Sequence, residues 1–201
     1  MAKGIIIGIV GLIVVAALIM FVALKSGLIP ANADAQPGAL ERILARMSLQ
    51  ATIARQVDAK AVNPLPVNDA NLTAGVKLYG ANCAMCHGAA DAKMSAIAHG
   101  LYQRPPQLAR HALGPSAVGD SARFRGQRGV EDDPEANINW IVTHGIRFTG
   151  MPAFGRTLSK DQIWQLTMLL KHMDSLPPNV AAAFKKLPSV GLVHVNMTKQ
   201  R

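Results

Sequence analysis

The chain has 201 residues, half of them apolar, with few aromatics, two cysteines and a formal net charge of +9. That allows one modest core plus extensions and excludes a fold stapled by several disulfides. The basic residues are scattered, and between Asn71 and Leu176 there are 11 Lys and Arg against 8 Asp and Glu. No basic block or aromatic-interleaved stripe forms, so a nucleic-acid partner is not expected.

Much of the apolar excess lies in Gly4 to Leu24, a run without a charged residue. As a helix it covers roughly 30 Å, the thickness of a bilayer core, and residues 1–25 read as a transmembrane anchor. Lys3 precedes it and Lys25 follows, so flanking charge orients it weakly. The rival is a cleaved signal peptide ending at Ala31-Asn32-Ala33, but such a segment carries about 7 to 15 apolar residues, fewer than here.

Ser26 to Gly38, with Gly27, Pro30, Asn32 and Pro37, reads as an extended linker. From Ala39 to Val57 apolar residues recur at helical spacing, Leu40, Ile43, Leu44, Met47, Ala51 and Ala54 on one stripe, with Arg42 and Arg46 away from it. Residues 26–68 are thus a linker and an amphipathic juxtamembrane helix. Its stripe suits a membrane or partner surface, but packing on the chain's own domain is the preferred reading. The breaker run Asn63-Pro64-Leu65-Pro66-Val67-Asn68 marks the boundary of a domain over 69–177.

Asn68 or Asp69 caps a helix through Ala70 to Asn82. Glu131-Asp132-Asp133-Pro134-Glu135 reads as a helix start, acids favouring the amino-terminal end and proline an early position. A further helix runs from Ser159 or Lys160 to about Asp174, with Ile163, Trp164, Leu166, Thr167 and Leu170 at helical spacing and Pro177-Pro178 as its stop. Residues 178–201 read as a basic, weakly structured tail. No strand pattern occurs, so the fold class is all-α.

The helix from Ala70 delivers Cys83-Ala84-Met85-Cys86-His87, a CxxCH motif. This is the attachment signature of haem c: two thiols about one turn apart reach the two vinyl groups, and the adjacent histidine comes under the iron. A structural zinc site would need four ligands, and no second cysteine pair or HxxxH partner is present. A thioredoxin-like redox pair would need a βαβ setting, which is missing.

Gly75-x-x-x-Tyr79-x-x-x-Cys83 before the motif, Gly150-Met151-Pro152-Ala153-Phe154-Gly155 after it, and a terminal helix bearing Ile163-Trp164 together resemble the class I cytochrome c family over Asn71 to Leu176. The resemblance implies a class I cytochrome c fold around one covalent haem c. It also implies that Gly75 and Tyr79 pack near Trp164 and Leu169 or Leu170, with a structural role for both aromatics. The cofactor-binding residues are then Cys83, Cys86, His87 and Met151, and the iron ligands His87 and Met151.

Met151 is one of nine methionines, but Gly150 and Pro152 make a stiff loop able to present its thioether, and 64 residues separate it from His87. His144 competes as ligand, seven residues upstream, although a surface histidine before the helix-ending Gly145 is the plainer reading. His99 and His111 lie in polar loops. A proline carbonyl in the loop after CxxCH orients the ligand histidine in the family, and Pro105-Pro106 matches in type without spacing deciding which one serves. Arg104, Arg110, Arg123, Arg125 and Arg128 are candidate partners of the haem propionates or of an acidic protein, against plain solvated charge. An insertion around Gly114 to Gly129 has no legible role.

With both axial positions filled and no nucleophile–base, phosphate-loop or paired-carboxylate constellation elsewhere, the expected role is electron transfer and not catalysis. The partners are redox proteins or a membrane oxidoreductase complex in a respiratory or dehydrogenase system. The alternative is a haem enzyme or small-ligand sensor with a displaceable sixth ligand. Because haem c is attached outside the inner membrane in bacteria, the expected location is that membrane, single-pass, with the haem domain in the periplasm.

Overall fold

The computed structural model describes residues 2–89, 95–108 and 129–188, and within these every regular element is helical. His111, Arg110, Arg123, Arg125, Arg128, the insertion up to residue 128 and the tail from residue 189 lie outside the described residues. Packing divides the chain into residues 1–36 and residues 37–201.

The first unit is helix α1, Ala2–Lys25, followed by a turn. None of its side chains is buried. Its 24 residues, about 36 Å long at ~1.5 Å per residue, make it the one described helix long and apolar enough to cross a membrane.

The second unit starts with α2, Ala39–Gln56, whose first turn is closed by the Glu41 carboxylate accepting the Gly38 N–H at 3.3 Å. The strap after it is tied to the helical body. Asn63 Nδ2 donates to Glu135 Oε1 and to the Trp164 carbonyl, both at 3.2 Å, while Asn63 Oδ1 accepts the Leu65 N–H. The sequence boundary at residue 68 is therefore not a boundary of packing.

Helix α3, Asp69–Asn82, begins where the sequence places it: the Asn68 side chain accepts the Asn71 N–H at 2.9 Å. Two short helices follow, α4 at Ala84–His87 and α5 at Ala96–Gly100, then a 3-10 turn at Val130–Asp132 and helix α6, Glu135–His144, with Pro134 as its cap. Helix α7, Lys160–Lys171, opens with a reciprocal box in which Ser159 Oγ accepts the Gln162 N–H and Gln162 Oε1 accepts the Ser159 N–H.

The core forms where α3 and α6 meet α7. Gly75 gives α3 its closest approach, since a Cβ there would stand 2.5 Å from the Gln165 carbonyl oxygen and 3.0 Å from Leu169 Cβ. Leu166, Met168 and Leu169 are fully buried between these helices, each worth roughly 1.5–3 kcal/mol of burial. Asn139 on α6 donates to the buried Thr167 hydroxyl, which donates in turn to the Ile163 carbonyl within α7, so this buried polar side chain is satisfied.

Two expectations need correction. The segment after Pro177 does not begin as a weakly structured tail: Pro178–Lys185 is helix α8, with Val180 and Phe184 buried. A proline that stops one helix also suits the first position of the next, and here Pro178 does the second job. Trp164 is only half-buried and not part of the core. Tyr79 instead has Phe184 as its aromatic neighbour, with ring centroids 5.4 Å apart and planes tilted by 46°.

Candidate functional site

Cys83 ends α3 in a helical conformation and at once caps α4, so the CxxCH motif is one tight turn. The N–H groups of Cys86 and His87 both donate to the Cys83 carbonyl, at 3.0 and 2.8 Å. The fully buried Tyr79 hydroxyl lies beneath this turn and donates to the carbonyls of Gly88 at 2.9 Å and His87 at 3.2 Å. Burial raises the phenol pKa, with the neighbouring Cys83 as a second cause, and keeps the proton that both bonds use. Tyr79 is thus more than core filling: it fixes the backbone that carries His87.

The His87 ring is held from the other side. Its Nδ1 lies 2.8 Å from the carbonyl oxygen of Pro106. A carbonyl can only accept, so Nδ1 carries the proton and Nε2 keeps the lone pair that a metal requires. Tertiary structure thereby chooses Pro106 over Pro105. Burial lowers the His87 pKa, opposed in part by this hydrogen bond, which favours the neutral imidazole that binds metal. Gln107, which sequence reasoning passed over, fastens the same loop: its Nε2 donates to the Cys86 carbonyl at 3.0 Å.

Both cysteines are half-buried and free, not joined as a disulfide. Burial, with the charge of Cys86 adding to it, pushes the Cys83 thiol up to about 12, and burial raises Cys86 as well. A dithiol redox pair depends on the opposite, a thiol lowered toward neutrality. Among the described residues no three His, Cys, Asp or Glu side chains converge in a way that would hold a bare metal ion. The donor set instead suits a haem: two thiols within one helical turn for the vinyl groups, an imidazole with its outer nitrogen engaged, and a thioether on a separate loop.

That loop runs from the end of α6 to the 3-10 turn at Phe154–Arg156. Gly145 leaves the helix at φ +64, and a Cβ on it would stand 2.6 Å from both the Met151 carbonyl oxygen and the Pro152 carbonyl carbon. Only glycine tolerates both conditions, so the helix end tucks against the backbone at Met151. The Ile146 N–H donates to the Met151 carbonyl, and the Met151 N–H donates to Thr149 Oγ1 at 3.2 Å. Phe148 pays for this compact turn with a left-handed φ of +61, and its ring is 89 % exposed.

The 101–108 segment links the two halves. Pro106 holds His87 near one end, and near the other the Leu101 side chain lies where a Cβ on Gly150 would stand. The rival histidines are elsewhere in character: His144 is exposed and lies against Trp140, centroids 4.8 Å apart and planes tilted by 40°, and His99 is exposed on α5. Arg104 is exposed as well.

Residues 70–168 match the family model described as cytochrome C oxidase, cbb3-type, subunit III. No curated protein and no solved structure matches the chain.

Proposed function

We propose that the chain carries a class I c-type cytochrome domain and is a membrane-anchored monohaem cytochrome passing single electrons between redox proteins, a reading supported by the family match over residues 70–168. The observation that carries this reading is the CxxCH turn, whose histidine is committed through Nδ1 to the Pro106 carbonyl. Haem bound there supplies reversible one-electron exchange between ferric and ferrous iron.

The chain's own residues do the rest. Cys83 and Cys86 would hold the haem covalently through their thiols and so keep it in a small domain. His87 would bind the iron through Nε2, with its ring oriented by Pro106 and its backbone held by Tyr79. Met151 would offer its thioether to the iron from a loop stiffened by Thr149, Ile146 and Pro152. With His87 and Met151 as its two protein ligands the haem would offer no site to oxygen or substrates, and outer-sphere transfer would be its chemistry.

Helix α1 is the anchor. Since haem c is attached outside the bacterial inner membrane, the haem domain stands in the periplasm. The match to a subunit of a membrane oxidase supports service within a membrane oxidoreductase complex as well as a tethered shuttle role.

The holoprotein should retain its haem stain through denaturing electrophoresis at one haem per chain, and the Cys83→Ser, Cys86→Ser double variant should lose it entirely. Haem that washes out of the wild type on denaturation defeats the covalent assignment. The native protein should also stay with membranes through a carbonate wash and begin near its encoded amino terminus. A mature chain beginning at Asp34 would instead make α1 a signal peptide.

A further inference from the structure

Helix α2 carries a main apolar stripe and a smaller, half-buried face. Leu49, Thr52 and Ile53 are its half-buried side chains. Gln50, Ile53, Ala54 and Val57 line one side of a groove that Asp133, Asn137 and Ile141 line on the other. At about 100° per residue Leu49, Thr52 and Ile53 stand roughly opposite the stripe of Leu40, Ile43, Leu44 and Met47. The stripe residues are all exposed, by 54 to 68 % of their surface, and Ala51 and Ala54 continue the stripe exposed to the helix end. The sequence preference for packing this stripe on the chain's own domain is thus not met: only Ala54, at the end of the stripe, borders another described element, and Leu40, Ile43, Leu44 and Met47 stand exposed.

We propose that this stripe lies in the headgroup region of an anionic bilayer, the same membrane that α1 enters, so that the proposal rests on the anchor reading of α1. Three observations choose lipid over protein. Residues 26–38 join Lys25 to Ala39 and reach no more than about 45 Å fully extended, which keeps α2 within range of the surface. Exposed Arg46 and Arg55 flank the stripe on either side, as in helices that lie on acidic lipid. The one carboxylate of α2, Glu41, is already engaged by the Tyr102 hydroxyl and the Gly38 N–H. Two copies paired along the stripe would bring flanking arginines together with no carboxylate to meet them. An amphipathic helix held at the surface would restrict how the haem domain tumbles on its tether.

The test uses full-length holoprotein in vesicles of phosphatidylglycerol and phosphatidylcholine in equal parts. Once both native cysteines are thioethers, a single added cysteine takes a nitroxide cleanly. Labels on Leu44→Cys and Met47→Cys should collide with dissolved oxygen several-fold more, and with a water-soluble nickel chelate several-fold less, than a label on Asp161→Cys, an exposed position of α7. Adding Arg46→Glu and Arg55→Glu should shift both labels toward the aqueous pattern. Labels at 44 and 47 that read as aqueous as the one at 161, in protein that survives a carbonate wash, overturn the proposal and leave the anchor standing. Labels shielded from both reagents mean a protein contact, a second copy, and overturn it too. Protein that washes off takes down the anchor reading and this proposal together.

Discussion

Met151→Ala is expected to convert the protein from one that does not bind carbon monoxide to one that takes up one molecule per ferrous haem. In the same variant the weak sulfur-to-iron charge-transfer band of the ferric spectrum should vanish, and the reduction potential should fall. A thioether stabilises ferrous over ferric iron, and the identity of the axial ligands moves haem potentials across a range of about 0.8 V. The covalent attachment should survive, because Cys83 and Cys86 lie on a turn fixed by Tyr79 and Gln107 and not by the Met151 loop. His144→Ala is the control: its ring is exposed and rests at a tilt against Trp140, and its loss should leave band and potential in place. If His144→Ala opens the iron and Met151→Ala does not, the ligand assignment is reversed. A wild type that already binds carbon monoxide favours a ligand-binding or sensing role over electron transfer.

Phe184→Ala should cost about 3–5 kcal/mol of stability, the usual range for emptying a buried aromatic site. Phe184 is 1 % exposed, packs on the Tyr79 ring and sits in α8, beyond the point where the helical domain reads as finished in sequence. Were residues 178–188 a tail, the same substitution would fall within roughly 0.5 kcal/mol of wild type, as surface changes do. Denaturant unfolding of the holoprotein, followed in the haem absorbance, separates the two outcomes. Lys185→Ala on the exposed side of the same helix should leave the midpoint unmoved. Because Phe184 supports the ring whose hydroxyl holds the His87 and Gly88 carbonyls, the variant should also loosen the haem environment before global unfolding.

What the sequence by itself determined was what depends on neighbours in the chain. The Asn68 cap of α3, the Ser159–Gln162 box of α7, the helical spacing of α2 and α7, and the turn that brings Cys83, Cys86 and His87 together all rest on residues a few positions apart. Tertiary structure decided everything that joins distant segments. Two adjacent prolines are chemically equal in sequence, and only the placement of the 101–108 loop beside α4 makes Pro106 the acceptor for His87. The Tyr79 hydroxyl finds backbone carbonyls, and its ring finds Phe184, because α8 returns across α3 after more than a hundred residues of chain. A Pro-Pro pair says that one helix stops, whereas burial of Val180 and Phe184 on α3 makes the next one worth forming. The periodicity of α2 revealed an apolar stripe but not which face would be covered, since that depends on how Ile53 and Val57 meet α6. Local signals set where helices begin and end, and the energy of burial, which is non-local, sets which of their faces meet.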